Sequence, residues 1–310
     1  MTNLKKIGLT ALAGSLAAIG YAQAGSLSVN GTARMEYQTT STSTTNADTF
    51  AQTASITFSG SGELDNGNTV SFTQVRAGAS AGAITSQSVT LDMGDMGTLS
   101  LASMNLAGIG TIQDMVPNGG EQPWDDLNAA HGTPQQGIAS PHAGDRLGYS
   151  TTMGGATVSA AINYENNSAT TSMAVQLPNL VEGLNIGAGI ATDASAAGVE
   201  DDIETMYVKY TMGGISVGYQ VTDVEQQTAN TDIERTAYGI SFAVNDNLSV
   251  GYGISDTEFD ALSLDEENAG IGIAYTSGGM KLGIINNTKD NAGGSTGADE
   301  TLEFQLTFAF

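Results

Sequence analysis

Both histidines of this sequence, His131 and His142, fall in one stretch, Met104–Ala143. A Ser/His/acid hydrolase needs a histidine within hydrogen-bond reach of a serine. Ser140 and His142 are close in sequence, but near neighbours in a chain rarely form a working dyad. No serine sits in a G-x-S-x-G context. This poverty of acid-base chemistry disfavours an enzyme. The histidines with Asp125 or Asp126 would offer nitrogen and oxygen ligands to a metal, yet their spacing matches no metal site. Zero cysteines remove disulfides and thiolate metal sites. The stretch does hold four charges of one sign: Asp114, Glu121, Asp125 and Asp126. Carboxylates held across a narrow lumen with low-dielectric walls create a negative potential that concentrates cations and repels anions.

The same stretch carries four of the five prolines and the only tryptophan, Trp124. A structureless segment of this length inside a regular domain is functional or disordered. The whole chain has 9 Lys+Arg against 33 Asp+Glu, a formal charge of −24. Nucleic acid is excluded as a partner, because phosphate binding needs clustered bases. At the N-terminus Lys5 and Lys6 precede the apolar run Ile7–Ile19, and Ala22-Gln23-Ala24 follows. That is the form of a secretory signal peptide over residues 1–24. The apolar run is broken by glycine and is shorter than the ~20 residues of a membrane-spanning helix.

The elements that must position the loop acids follow a period of two. Leu27, Val29, Met35 and Tyr37 share one face of the first strand, and Ser28, Asn30, Thr32, Arg34 and Glu36 share the other. The same alternation predicts sixteen strands, near 25–38, 51–64, 68–78, 86–93, 97–103, 145–153, 156–165, 169–178, 184–193, 202–212, 215–223, 233–244, 248–257, 267–277, 280–288 and 299–310. The connections alternate too. Tight turns such as Asn66-Gly67, Gly154-Gly155, Gly213-Gly214 and Gly278-Gly279 supply the positive φ of hairpins. Longer polar stretches lie between them, at 39–50, 79–85, 104–144, 194–201, 224–232, 258–266 and 289–298, with Asn166–Ser168 the shortest. Short turns on one side and long loops on the other describe an outer-membrane barrel, with both termini on the short-turn side. A soluble β-sandwich also alternates, but its outer face is normally charged. Here the polar face is mainly Ser, Thr, Gly, Asn and Gln. The expected fold is all-β: a transmembrane antiparallel β-barrel of residues 25–310 with about sixteen strands.

The last strand ends the chain on alternating large apolar residues, Leu302, Phe304, Leu306, Phe308 and Phe310. With the leader and the first strand opening directly after it, this layout resembles a Gram-negative porin, more narrowly the general porins of alphaproteobacteria. The resemblance implies that Phe304, Phe308 and Phe310 are read by the barrel-assembly machinery. It implies a homotrimer in the outer membrane of a Gram-negative bacterium. It also implies that residues 104–143 form a constriction loop, the third external loop, folded inward to narrow a water-filled lumen. Asp114, Glu121, Asp125 and Asp126 would then face wall bases across the eyelet. Arg34 and Arg146 have polar-face parity, as do Lys209, Arg235 and Lys281. Arg76 shares parity with Phe72 and would be lumenal only across a bulge. The scarcity of bases points to cation preference in a channel for passive diffusion of small hydrophilic solutes. A surface adhesin or structural barrel with a closed lumen is the alternative. No cofactor is expected. The acidic clusters Glu200-Asp201-Asp202 and Asp265-Glu266-Glu267 would bind Ca²⁺ or Mg²⁺ weakly, bridging lipopolysaccharide phosphates, or would simply be solvated.

Overall fold

The computed structural model describes residues 25–42, 46–78, 83–124, 145–165, 168–196 and 199–310. The expected leader, residues 1–24, lies outside the described residues, as do Asp125, Asp126, His131 and His142.

Sixteen antiparallel strands close into one barrel, each hydrogen-bonded to its neighbours in the chain and β1 to β16. They are β1 (Leu27–Ser41), β2 (Asn46–Glu63), β3 (Thr69–Ala77), β4 (Ile84–Asp92), β5 (Thr98–Ala102), β6 (Arg146–Met153), β7 (Ala156–Glu165), β8 (Ser168–Val181), β9 (Leu184–Ala196), β10 (Val199–Met212), β11 (Ile215–Glu225), β12 (Ile233–Ala243), β13 (Leu248–Phe259), β14 (Glu266–Ser277), β15 (Met280–Asp290) and β16 (Ala298–Ala309). Closure leaves no unpaired sheet edge. The seam continues past the last strand: Gly31 N–H donates to the Phe310 carbonyl at 2.7 Å, and Phe310 N–H to the Gly31 carbonyl at 3.0 Å.

The two faces of the wall differ as the alternation requires. Met35, Ile56, Leu101, Ile190, Tyr238 and Phe304 are among the large apolar residues exposed on one face. At ~25 cal/mol per Å² such a surface is costly in water and suits an apolar surrounding. The other face carries buried polar residues, including Gln220, Thr257, Asn287 and Glu303.

Three expectations need correction. Residues 194–201 were expected to form a long loop, but β9 runs to Ala196 and β10 begins at Val199. Backbone pairing does not require apolar side chains, so the ladder continues past the expected ends, where Asp193 pairs with Asp201 and Ala196 with Val199. Residues 46–50, also read as loop, open β2, with Phe50 opposite Tyr37 at a ring separation of 5.0 Å. The acidic clusters do not stay together, because consecutive strand residues point to opposite faces. Glu266 is buried on the polar face, whereas Glu267 is exposed.

Wall height is uneven. β8, β9 and β10 have 14, 13 and 14 residues, whereas β3 and β4 have 9 each, β5 has 5 and β6 has 8.

Candidate functional site

The stretch after β5 turns once as a 3-10 segment, Gly108–Ile112, in which Ile109 and Ile112 are fully buried. They pack on Ala174, Ala191, Ile203 and Tyr207 of β8, β9 and β10. Burying each isoleucine stabilises this placement by about 1.5–3 kcal/mol. Polar contacts fix the register. Ile109 N–H donates to Ser172 Oγ at 3.3 Å, and Met115 N–H to Gln220 Oε1 at 2.9 Å. Gln220 Nε2 returns a bond to the Ile112 carbonyl at 2.7 Å. Val116 and Trp124 then pack with Ala237 of β12. Glu121 Oε2 accepts from Gln305 Nε2 of β16 at 2.8 Å. Ser172, Gln220, Ala237 and Gln305 all carry polar-face parity.

Glycines on that face make room for the segment. A Cβ at Gly218 or Gly239 would meet Pro117 closer than 3.0 Å. At Gly251 it would meet Asn118 and at Gly272 Gly119, again below 3.0 Å. These four glycines occupy β11, β12, β13 and β14 in turn, so they form a track along which backbone lies on backbone. The sequence reading missed the track, although its signal was present as glycine at polar-face positions of successive strands. Apolar Ile203 and Tyr207 at polar-face positions of β10 were a second such signal.

The expected site residues separate into groups. Arg34 Nη2 pairs with Glu36 Oε2 at 3.0 Å. Arg34 and Glu121 line one cavity of about 590 Å³ together with Lys281. Arg146 donates through Nη1 to Asn105 Oδ1 at the root of the stretch. Asp114 is exposed. Arg76 stands opposite Ile56 in the β2–β3 ladder, which gives it the apolar face. The bulge on which its lumenal placement depended lies on β4, where Arg76 pairs with Ile84 and Val75 with Ser86. It therefore leaves the facing of Arg76 unchanged. Phe304, Phe308 and Phe310 are exposed on the apolar face.

A second polar group lies toward the long-loop ends of β12 to β16. Lys289 Nζ stands 3.7 Å from Glu266 Oε1, with both side chains almost fully buried. Glu266 also accepts from Asn268 Nδ2 at 2.9 Å and from Gly293 N–H at 2.8 Å. Arg235 Nε donates to Thr257 Oγ1 at 2.9 Å. Among the described residues no group of three His, Cys, Asp or Glu is arranged to hold a metal ion.

A family model described as Gram-negative porin matches residues 8–308. No curated protein matches the sequence. Among solved structures, a triple mutant of the Rhodopseudomonas blastica porin aligns with a TM-score of 0.67 at 15% identity, over 92% of this chain and 100% of that one. An anion-selective porin from Comamonas acidovorans gives 0.67 at 14% identity with the same coverage. OmpT, an outer membrane protein of Vibrio cholerae solved without its loop L8, gives 0.64 at 12% identity, over 93% and 100%. At these identities the likeness concerns the fold.

Proposed function

The chain belongs to the Gram-negative porin family and is accordingly an outer-membrane channel, not an enzyme; from that premise we propose a water-filled, cation-preferring pore for passive diffusion of small hydrophilic solutes. Its eyelet is formed by residues 108–121, the described part of the third external loop (104–143) that follows the polar face. The observation that carries this reading is the path of residues 108–121 along the polar face from Ser172 on β8 to Gln305 on β16. A segment on that face of a closed barrel takes up part of the bore. Its carboxylates then act where field lines are focused by the wall.

Planar-bilayer recording in a KCl gradient tests the proposal. Stepwise open-channel currents with a cation-selective reversal potential are expected. Closed traces would favour the adhesin alternative, and an anion-selective potential would remove the role given to the loop acids. Glu121→Gln should lower the K⁺/Cl⁻ permeability ratio by a factor of roughly 2–5, the effect of about 0.5–1 kcal/mol from one carboxylate. Neutralising Asp125 and Asp126 should act in the same direction.

We also propose export through cleavage after Ala24, the alphaproteobacterial affiliation, a role for Phe304, Phe308 and Phe310 in barrel assembly, and a homotrimer. The low side of the wall supports the trimer, because strands of 5 to 9 residues at β3, β4 and β5 are at or below the ~9–11 that a spanning strand needs. Gly60 and Gly62 leave the adjoining apolar face flat, and Arg76 there is better placed against protein than lipid.

Lipopolysaccharide is the proposed lipid partner. Glu204, Asp223, Glu234 and Glu258 stand in one cross-strand row, all exposed. Directly opposed like charges are destabilising, and Ca²⁺ or Mg²⁺ bridging one neighbouring pair of these carboxylates to lipid phosphate oxygens, which would supply the remaining ligands, would offset this. Chelation by EDTA should therefore lower the temperature at which the native oligomer dissociates in lipopolysaccharide-containing samples. An unchanged temperature would leave the row merely solvated.

A further inference from the structure

Two charged layers lie one above the other on the polar face of β15, β16, β1 and β2. In the lower layer Lys281 pairs across the sheet with Thr307, Thr307 with Arg34, and Arg34 with Thr53. One step toward the long-loop side, Gln305 pairs with Glu36 and donates both to Glu121 and to Glu303 at 2.8 Å. By register, carboxylates therefore belong to the upper layer and bases to the lower, with Arg34 Nη2 reaching up to pair with Glu36 Oε2 at 3.0 Å. Along a strand such steps are about 6.6–6.8 Å apart. Strands two apart lie ~9.5 Å from each other, so Lys281 and Arg34 flank the hydroxyl of Thr307 from either side.

Lys281 is exposed and makes no ion pair among the described residues. Its ammonium stands close to the loop backbone, 3.7 Å from where a Cβ would sit on Gly120. The cavity of about 590 Å³ between loop and wall holds both signs of charge, from Arg34, Lys281 and Glu121, with hydroxyls of Thr32 and Ser55 beside them. Its volume falls in the range of small-molecule sites.

From this stacking we propose that the cavity is a solute subsite for zwitterions of the amino-acid type, and this rests on the pore reading above. The solute carboxylate sits over Thr307 between Arg34 and Lys281, and its ammonium turns toward Glu121 in the upper layer. A neutral sugar meets the same hydroxyls but neither charged layer. A monocarboxylate uses only the lower layer.

The test is flux of labelled solutes at sub-millimolar concentration through proteoliposomes containing the full-length pore. Glutamine, arabinose and a small monocarboxylate such as lactate serve as probes. Glutamine should pass about two- to fivefold faster than arabinose, the range that one screened ion pair at each end supplies, and faster than lactate. Lys281→Gln and Glu121→Gln should each bring the glutamine-to-arabinose ratio toward one, whereas Lys281→Arg should preserve it. Equal fluxes of glutamine and arabinose in the native pore, or ratios unchanged in both neutralised variants, would overturn the subsite. Lactate matching glutamine would overturn the part given to Glu121. KCl conductance recorded on the same preparations separates these results from loss of the pore, which would appear as absence of open-channel steps.

Discussion

Alanine at Gly239 or Gly272 should open the pore. At either position a Cβ would meet the backbone of Pro117 or Gly119 closer than 3.0 Å, and backbone cannot swing aside as a flexible side chain does. Overpacking of this kind costs about 1–3 kcal/mol. The bonds that pin the segment nearby, from Gln220 to Ile112 and from Met115 to Gln220, contribute about 0.5–1.5 kcal/mol each in net terms. The two magnitudes are comparable, so the least expensive response is for residues 116–121 to leave the wall. Single-channel conductance and the size limit for sugars should both rise, and current noise should increase as the segment samples more than one position. Gly283→Ala on β15 is the matched control, because its nearest neighbour would be Gln305 Cβ at 3.6 Å, an ordinary contact. Conductance unchanged in Gly239→Ala and Gly272→Ala, with folded barrels in both, would mean that the segment does not limit flow.

Lys289→Met should cost more stability than any surface substitution in the barrel. Its ammonium and the Glu266 carboxylate lie 3.7 Å apart with side chains 3% and 4% exposed. Removing one member of a buried pair strands the other charge and typically costs about 3–5 kcal/mol. Glu266 would keep its bonds from Asn268 and Gly293 but lose its ion-pair partner, with Arg235 as the remaining base acting on it. The double variant Glu266→Gln/Lys289→Met should recover part of the loss, because neither member of the pair is left charged without the other, while the nearby buried Arg235 loses the Glu266 charge. Urea titration of the folded barrel in detergent, followed by tryptophan fluorescence, measures both. The sole tryptophan, Trp124, is buried against Val116 and Ala237, so its emission also reports release of the loop. A small loss in the single variant, or no recovery in the double, would indicate that water reaches the pair.

Much of the barrel was legible from alternation alone. Tyr238, Ile240 and Phe242 faced together because strand side chains alternate, and they stand exposed on the apolar face of β12. The expected boundaries failed where polar sequence continued to pair. At β8 the pairing skips between Leu177 and Val181, where Pro178 has no N–H to donate and Asn179 takes a positive φ of 54°. The candidate site was legible in its chemistry but only in part of its geometry. Glu121, Arg34 and Lys281 do share a cavity, whereas Arg76 has the apolar face.

Period-two patterning, turn residues and the terminal aromatic strand by themselves determined the fold class, the number of strands and the face of most side chains. These are local properties, set by backbone geometry over a few residues. The tertiary structure alone decided which polar-face residues meet the long stretch. Met115 and Gln220 are 105 positions apart, and Gln305 lies 184 from Glu121. Only closure and register bring them together. The same register divides contiguous acids such as Glu266 and Glu267 between two faces and aligns distant ones, Glu204 to Glu258, in a single row. The physical reason is that alternation assigns a face to each residue, whereas neighbours on that face come from other strands.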